Sequence, residues 1–325
     1  MLPKFTYARP TTLDNALRVL DESSGRVHGG GTDLIGCLRD GVLSAETVVS
    51  LSSIDELRGV ATAADGSFRI GALTPVATIA TDPTIAERYS GLAEAAASVA
   101  SPQLRNQGTI AGNLCQKPRC WYYRGDFHCL RKGGELCYAV EGENQYHCIF
   151  GGEFCYIVHP SDTAPILAAL GAVCRVSGNG TSRSVAVESL HVPPSEDPQR
   201  ETVLESNEIV THIVIPPPDI GLRSSYRKAR TRGAWDFALA GVALALVFDG
   251  DTVTTARVFL SGVAPVPWRA PGVEAAITGK TLDPATIAAA AEAAVGGAEP
   301  LSGNGYKVEL VRGVVAEQLE AIAEN

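Results

Sequence analysis

Six of the eight cysteines fall between positions 115 and 155: Cys115, Cys120, Cys129, Cys137, Cys148 and Cys155. From Cys120 onward the spacing is C-x8-C-x7-C-x10-C-x6-C. It contains no C-x-x-C pair, so the usual zinc-finger and zinc-ribbon spacings are missing. Thiols this concentrated admit three readings: buried small hydrophobes, a structural zinc site with four cysteine ligands, or the ligands of a [4Fe–4S] cluster. The same stretch holds nine of the chain's twenty aromatic residues, Trp121, Tyr122, Tyr123, Phe127, Tyr138, Tyr146, Phe150, Phe154 and Tyr156. Arg119, Arg124, Arg131 and Lys132 add positive charge. An aromatic shell and flanking cations suit the anionic surroundings of four thiolates. His128, His147 and His159 are further ligand candidates, with hydrogen-bonded packing as the alternative. Cys37, Cys115 and Cys174 read as core or loop residues.

Two glycine-bearing loops could bind phosphate. Gly29-Gly30-Gly31-Thr32-Asp33 stands between a short strand and a helix start, where glycines let several backbone N–H groups aim at one point. The alternative is a plain strand-to-helix turn. The loop is not a Rossmann fingerprint, because the third glycine of G-x-G-x-x-G would fall at Leu34, and the next strand ends at Ser52 rather than at an acid. Nor is it a Walker A loop, since no Lys-Ser/Thr follows. Gly108-Thr109-Ile110-Ala111-Gly112-Asn113 offers similar chemistry, and two such loops could hold the two phosphates of a dinucleotide.

The elements around these residues can be read from caps, breakers and periodicity. Thr12 is a helix N-cap before Asn15 and Leu20. Strands are expected at Arg26–His28, 46–51 and in SFRIGAL, with helices over Leu34–Arg39, Ala77–Tyr89 and Gly91–Ala100. Ser161 or Asp162 can cap a helix that leads into a strand. Phe237–Phe248 is a long apolar segment, followed by the strand TTARVFLSGVA. Asp283-Pro284 starts an alanine-rich helix by the N-cap and Pro-at-N1 rule, and a last helix runs from about Lys307 to Ala323. Strands and helices mix without strict βαβ alternation, which favours α+β subdomains. The divisions fall at 1–58, 59–218 with the cysteine-rich insert at about 115–158, and 219–325, the last boundary marked by Pro216-Pro217-Pro218.

Bulk properties narrow the class. The 325 residues are 45% apolar and 19% charged, with a formal charge of −9, so this is neither a disordered chain nor a stapled miniprotein. No Lys/Arg run points to nucleic acid. The longest apolar run, Phe237–Phe248, is shorter than the roughly 20 residues a membrane span needs. The N-terminus lacks the features of a secretory signal, so a cytoplasmic location is expected, with export only alongside a signal-bearing partner. Eight cysteines in such a chain do not read as a disulfide framework.

GGGTDL (29–34), SPQLRNQGTIAGN (101–113), HPSDTAPILAALGA (159–172) and YRKARTRGAWDFALAGVAL (226–244) together resemble the FAD-binding medium subunits of molybdenum hydroxylases, the xanthine dehydrogenase, carbon monoxide dehydrogenase and aldehyde oxidoreductase relatives. The resemblance runs nearly end to end. The insert RCWYYRGDFHCLRKGGELCYAVEGENQYHCIFGGEFC looks like the extra iron–sulfur segment of 4-hydroxybenzoyl-CoA reductase and aldehyde oxidoreductase flavin subunits, and is closer to the latter.

The resemblance implies an α+β fold: two FAD-binding subdomains of the PCMH type and a C-terminal α+β domain, with FAD in the cleft between the first two. Gly29, Gly30, Gly31, Thr32 and Asp33, with Leu34 completing the motif, would cradle the pyrophosphate. Thr109, Gly112 and Asn113 would form the second phosphate-side loop, within the motif that holds Ser101 and Gly108. Asp162 would face the ribityl or adenosine part. Lys228 would sit near the isoalloxazine, where its charge would stabilise reduced flavin; a solvated surface lysine is the alternative. Cys120, Cys129, Cys137 and Cys155 would ligate a [4Fe–4S] cluster, while Cys148 matches neither known insert pattern. The implied function is an electron-transfer flavoprotein subunit within a complex that is aldehyde oxidoreductase-like, with 4-hydroxybenzoyl-CoA reductase-like or xanthine dehydrogenase-like complexes as alternatives. Its partners would be a large subunit with the molybdenum cofactor, a small [2Fe–2S] subunit and an external electron acceptor. Competing readings are a zinc-stabilised nucleotide-binding module and a free-standing FAD oxidase.

Overall fold

The computed structural model describes residues 1–178 and 180–324. The chain opens with β1 (Thr6–Ala8), α1 (Leu13–Glu22), β2 (Gly25–His28), α2 (Leu34–Arg39) and β3 (Thr47–Ser50). Thr12 caps α1 as expected, accepting from the Asn15 N–H at 3.3 Å. The i, i+4 pair Ala16 and Leu20 turns the apolar face of α1 inward. The strands form a parallel sheet in the order β1-β3-β2, and the central strand β3 is buried at every residue, as parallel strands covered on both faces are.

A second unit follows: β4 (Val60–Thr62), β5 (Phe68–Gly71), α3 (Val76–Thr81), α4 (Pro83–Arg88), α5 (Ser90–Ser98), α6 (Pro102–Gln107), α7 (Ile110–Leu114), α8 (Trp121–Arg124), α9 (Thr163–Ala169), β6 (Val173–Gly178), β7 (Thr181–Ala186) and β8 (Ile209–Ile215). Its sheet runs β4-β5-β8-β6-β7 and every paired edge is antiparallel. The single helix expected over Ala77–Tyr89 is two. Pro83 has no N–H to donate and disfavours helical backbone at the residue before it. Asp82 is accordingly extended and caps the second piece through the Ile85 N–H at 3.0 Å.

The third unit consists of β9 (Leu222–Ala229), β10 (Ala240–Asp249), β11 (Thr252–Ser261), β12 (Trp268–Arg269), α10 (Pro271–Ile277), α11 (Pro284–Ala293) and α12 (Tyr306–Ala323), with sheet order β12-β11-β10-β9. Most of the long apolar segment, from Ala240, lies in β10, which is buried on both faces over Ala240–Leu246, while Phe237 before it is exposed. Ala243 and Ala245 face the core of the second unit, and Val242, Leu244 and Leu246 face a core made with α10, α11 and α12. Period-two alternation thus serves two cores from one strand, and each Val or Leu buried there contributes roughly 1.5–3 kcal/mol. Asp283 caps α11, accepting from the Thr286 N–H at 2.7 Å. Among the described residues no helix is long and apolar enough to cross a membrane.

Candidate functional site

The two glycine loops, about eighty residues apart in sequence, touch in the fold. Gly30 approaches Gln107 so closely that a Cβ on it would lie 1.9 Å from the Gln107 carbonyl oxygen. Gln107 Nε2 returns a hydrogen bond to the Gly30 carbonyl at 3.0 Å. Gly31 has φ +74°, a left-handed conformation that suits glycine. Thr109 caps α7, accepting from the Gly112 N–H at 3.2 Å. Gly29, Gly30, Gly31, Thr32, Asp33 and Leu34 line one cleft with Thr109 and Gly112. The cleft, open to solvent, has a volume of about 680 Å³ and lies between the first and second units. Ser101, Gly108 and Asn113 stand behind it. Ser101 caps α6 through the Leu104 N–H at 3.4 Å, and the Gly108 carbonyl accepts from Val76 at 2.9 Å.

Asn113, which follows Gly112 of this cleft, is hydrogen-bonded to Ser161, a residue of a second cavity. Its Oδ1 accepts from Ser161 Oγ at 2.6 Å and from Thr163 Oγ1 at 2.7 Å. Ser161 supplies the cap of α9, accepting from the Ala164 N–H at 3.0 Å. Asp162 does not cap, because its carboxylate is engaged elsewhere: Lys228 Nζ lies at 2.8 Å and the Tyr226 hydroxyl donates at 2.8 Å. The Lys228 and Asp162 side chains are 3% and 6% exposed, which corrects the surface-lysine alternative. Burial raises the Asp162 carboxyl, and the Lys228 ammonium and Tyr226 hydroxyl hold it back towards ionisation. The 2.8 Å geometry is that of a charged pair. Asp162 lines a cavity of about 420 Å³ with Arg119, Cys120, His147, Ser161 and Phe237.

The cysteine-rich insert is held by side chains rather than by regular structure. Arg119 and Arg124 both reach Asp33 of the first glycine loop, at 2.9 and 2.8 Å. Arg131 donates to Glu201 at 2.8 Å and to the carbonyls of Pro198 and Arg200. From the C-terminal unit, Asn304 Nδ2 donates to the carbonyls of His147 and Cys148. Lys307 Nζ donates to those of Gly262 and Tyr146. The arginines read in the sequence as compensating thiolate charge are therefore also the anchors of the insert.

Cys120, Cys129, Cys137 and Cys155 line one small, nearly filled space, together with Tyr122, Tyr123 and His147. Cys148 is fully buried and does not line it. Among the described residues no three His, Cys, Asp or Glu side chains converge as a site for a single ion would require. Burial pushes the Cys120 thiol up to about 11. Cys155 and Cys137 share a hydrogen bond that favours the thiolate at Cys137, pulling it down to about 6, and the thiol at Cys155. His147 Nε2 lies 3.3 Å from Cys120 Sγ. Cys174 belongs to the core of the second unit and Cys115 packs against it; Cys115 and Cys37 both line the first cleft, where Cys37 lies 2.8 Å from an Arg124 nitrogen.

Sequence reasoning did not single out Tyr226, Asn304 or Lys307. The first lies inside a recognised motif. The other two sit over 150 residues from the insert backbone they hold, and nothing local marks them.

Residues 3–218 match the family described as FAD binding domain in molybdopterin dehydrogenase. Residues 224–322 match the CO dehydrogenase flavoprotein C-terminal domain. The aldehyde oxidoreductase FAD-binding subunit PaoB of Escherichia coli (strain K12) is 34% identical over 281 residues, covering 84% of this chain and 86% of the relative. The carbon monoxide dehydrogenase medium chain of Hydrogenophaga pseudoflava is 28% identical over 98% of this chain and 97% of its own length. In a solved carbon monoxide dehydrogenase from Hydrogenophaga pseudoflava, one that lacks the Mo-pyranopterin moiety of its cofactor, a chain superposes with TM-score 0.79 at 26% identity, covering 99% of this chain and 98% of that one. Quinoline 2-oxidoreductase from Pseudomonas putida 86 shares the fold, with TM-score 0.78 at 24% identity over 100% of this chain and 98% of that chain.

Proposed function

Because this chain belongs to the family of FAD-binding subunits of molybdenum hydroxylases, we propose that it is the electron-transfer flavoprotein of an aldehyde oxidoreductase-like complex and carries a [4Fe–4S] cluster beside its FAD. The observation that carries the flavin part is the meeting of the two glycine loops at one cleft. Asn113, next to Gly112 of that cleft, is hydrogen-bonded to Ser161, which lines a second cavity with Asp162. A dinucleotide needs backbone N–H groups converging on its phosphates and a separate pocket for its ring system, and the two cavities offer this division.

Gly29 to Leu34, Thr109 and Gly112 would hold the phosphate side. Asp33, tied to Arg119 and Arg124, fixes the loop rather than meeting phosphate with its own charge. Ser101, Gly108 and Asn113 support the second loop from behind. Asp162 would orient the ribityl or ring end, with Lys228 as a fixed cation behind it. Cys120, Cys129, Cys137 and Cys155 would hold the cluster. The gathering of these four cysteines on one space, beside Arg131 and an aromatic shell, supports that reading. Bound FAD exchanges electrons in pairs or singly and the cluster exchanges them singly, so the subunit would convert between the two.

Substrate oxidation would take place in a molybdenum-bearing large subunit, with a small [2Fe–2S] subunit and an external acceptor completing the chain. The relatives support this assembly, since two of them are medium chains of carbon monoxide and glyceraldehyde dehydrogenases. The proposed division of the chain is 1–58, 59–218 and 219–325. Metal and flavin analysis of anaerobically purified protein tests the whole reading. About four irons and one FAD per chain are expected. Zinc without iron or flavin overturns it.

A further inference from the structure

We infer that His147 is a positioning residue for the cluster, donating an N–H···S hydrogen bond to Cys120 and thereby setting how readily the cluster accepts an electron. The inference rests on the four-cysteine reading above. The imidazole is pinned on several sides. Its ring meets Trp121 edge-on at 5.8 Å and Tyr122 at 5.9 Å. The His147 backbone carbonyl accepts from Asn304 Nδ2 at 3.1 Å, and its backbone N–H donates to the Asn144 carbonyl at 3.0 Å. Asn144 is held in turn by Ser302 and by the Gly303 N–H. The C-terminal unit therefore holds the His147 backbone in place, with Nε2 3.3 Å from Cys120 Sγ.

A cysteine that ligates iron has no S–H, so its sulfur can only accept, and Nε2 is then the donor. A hydrogen bond to a ligand sulfur stabilises the added charge of the reduced cluster and raises its potential. His147 and Cys120 also line both the four-thiol space and the cavity floored by Asp162. They form the wall between the proposed cluster and the proposed ring end of the flavin. The side chain that tunes the cluster is thus on the side from which electrons would pass.

The test uses the full chain in its complex, prepared anaerobically, as wild type, His147→Phe and His147→Gln. Phe keeps an aromatic ring without a donor; Gln keeps a donor without the ring. Iron per chain is measured first, then the cluster midpoint potential by a redox titration followed by EPR. In His147→Phe the reduced-to-oxidised ratio at fixed potential is expected to fall at least tenfold, about 59 mV for a one-electron centre, and His147→Gln restores most of it. Loss of iron from the Phe variant but not from the Gln variant also supports the donor role. Wild-type potentials in an iron-replete His147→Phe, or equal loss in both variants, overturn the inference. Absence of iron from the wild type instead overturns the four-cysteine reading.

Discussion

Asp33 and Arg124 stand 91 residues apart in the chain and 2.8 Å apart in the fold. One belongs to a glycine loop at the proposed flavin cleft and the other to the cysteine-rich insert. Their ion pair, doubled by Arg119 on the same oxygen, makes the two proposed cofactor sites mechanically one structure. Asp33→Ala leaves two arginines and the Lys117 N–H without their acceptor. A loss of roughly 2–3 kcal/mol is expected, with FAD retention falling in parallel. Thermal denaturation and flavin absorbance per chain check both.

The contact between the loops predicts an asymmetry among glycines. Gly30→Ala forces a methyl onto the Gln107 carbonyl, whereas Gly36→Ala meets nothing within 4 Å. The first should abolish flavin binding in the purified protein. The second should leave binding intact and hold stability level or raise it by about 0.5–1 kcal/mol, since Gly36 lies within a helix. Equal flavin content in both variants would show that the loops can part without consequence.

Lys228 and Asp162 should behave as a buried pair. Lys228→Met leaves a carboxylate that is 6% exposed with the Tyr226 hydroxyl as its hydrogen-bond donor and Arg230 as its remaining cation, at a cost of about 3 kcal/mol. Adding Asp162→Asn to that variant removes that charge and should recover at least about 1 kcal/mol. Urea midpoints of the two single variants and the double variant give the coupling directly.

Iron content discriminates between the two candidate fourth ligands. Cys155 lines the four-thiol space and Cys148 does not. Cys155→Ser is expected to lose iron, whereas Cys148→Ser keeps about four atoms per chain. The reverse result would move the cluster towards the C-terminal unit, where Asn304 grips the Cys148 carbonyl.

Acid should unfold the protein in part through His191. Its ring is fully enclosed beside His159, with ring centres 4.0 Å apart, and its Nε2 contacts the Leu114 carbonyl at 2.9 Å. Burial lowers its pKa from 6.5 to about 4. Between those values the unfolded chain binds a proton that the folded chain refuses, so stability is full above pH 6.5 and is lost as pH falls towards 4. The contribution is roughly 3 kcal/mol across the window. His191→Gln keeps a donor for Leu114 and removes the titration, so its melting temperature should fall less steeply with acid than that of the wild type.

Much of the fold is legible in local sequence because its causes are local. Thr12 and Asp283 mark helix starts through their own side chains. Phe237–Phe248 stands out as a long apolar segment by lacking polar residues, though its first residue is exposed and the strand starts at Ala240. The concentration of cysteines at 120–155 and the two glycine loops are visible as composition and spacing. The split at Asp82-Pro83 is equally local, but helical periodicity on both sides of the proline masks it. Other features depend on groups that are distant along the chain. Nothing near Asp33 indicates that its carboxylate is held by Arg119 and Arg124. Nothing near Lys228 shows that it is buried on Asp162, and the grip of Asn304 and Lys307 on residues 146–148 spans about 160 positions. Residue type and spacing determined which chemistry this protein carries. Tertiary packing decided which of those groups meet, because burying a charge or a polar side chain requires a partner, and the partner is supplied by whichever part of the chain the cores bring alongside.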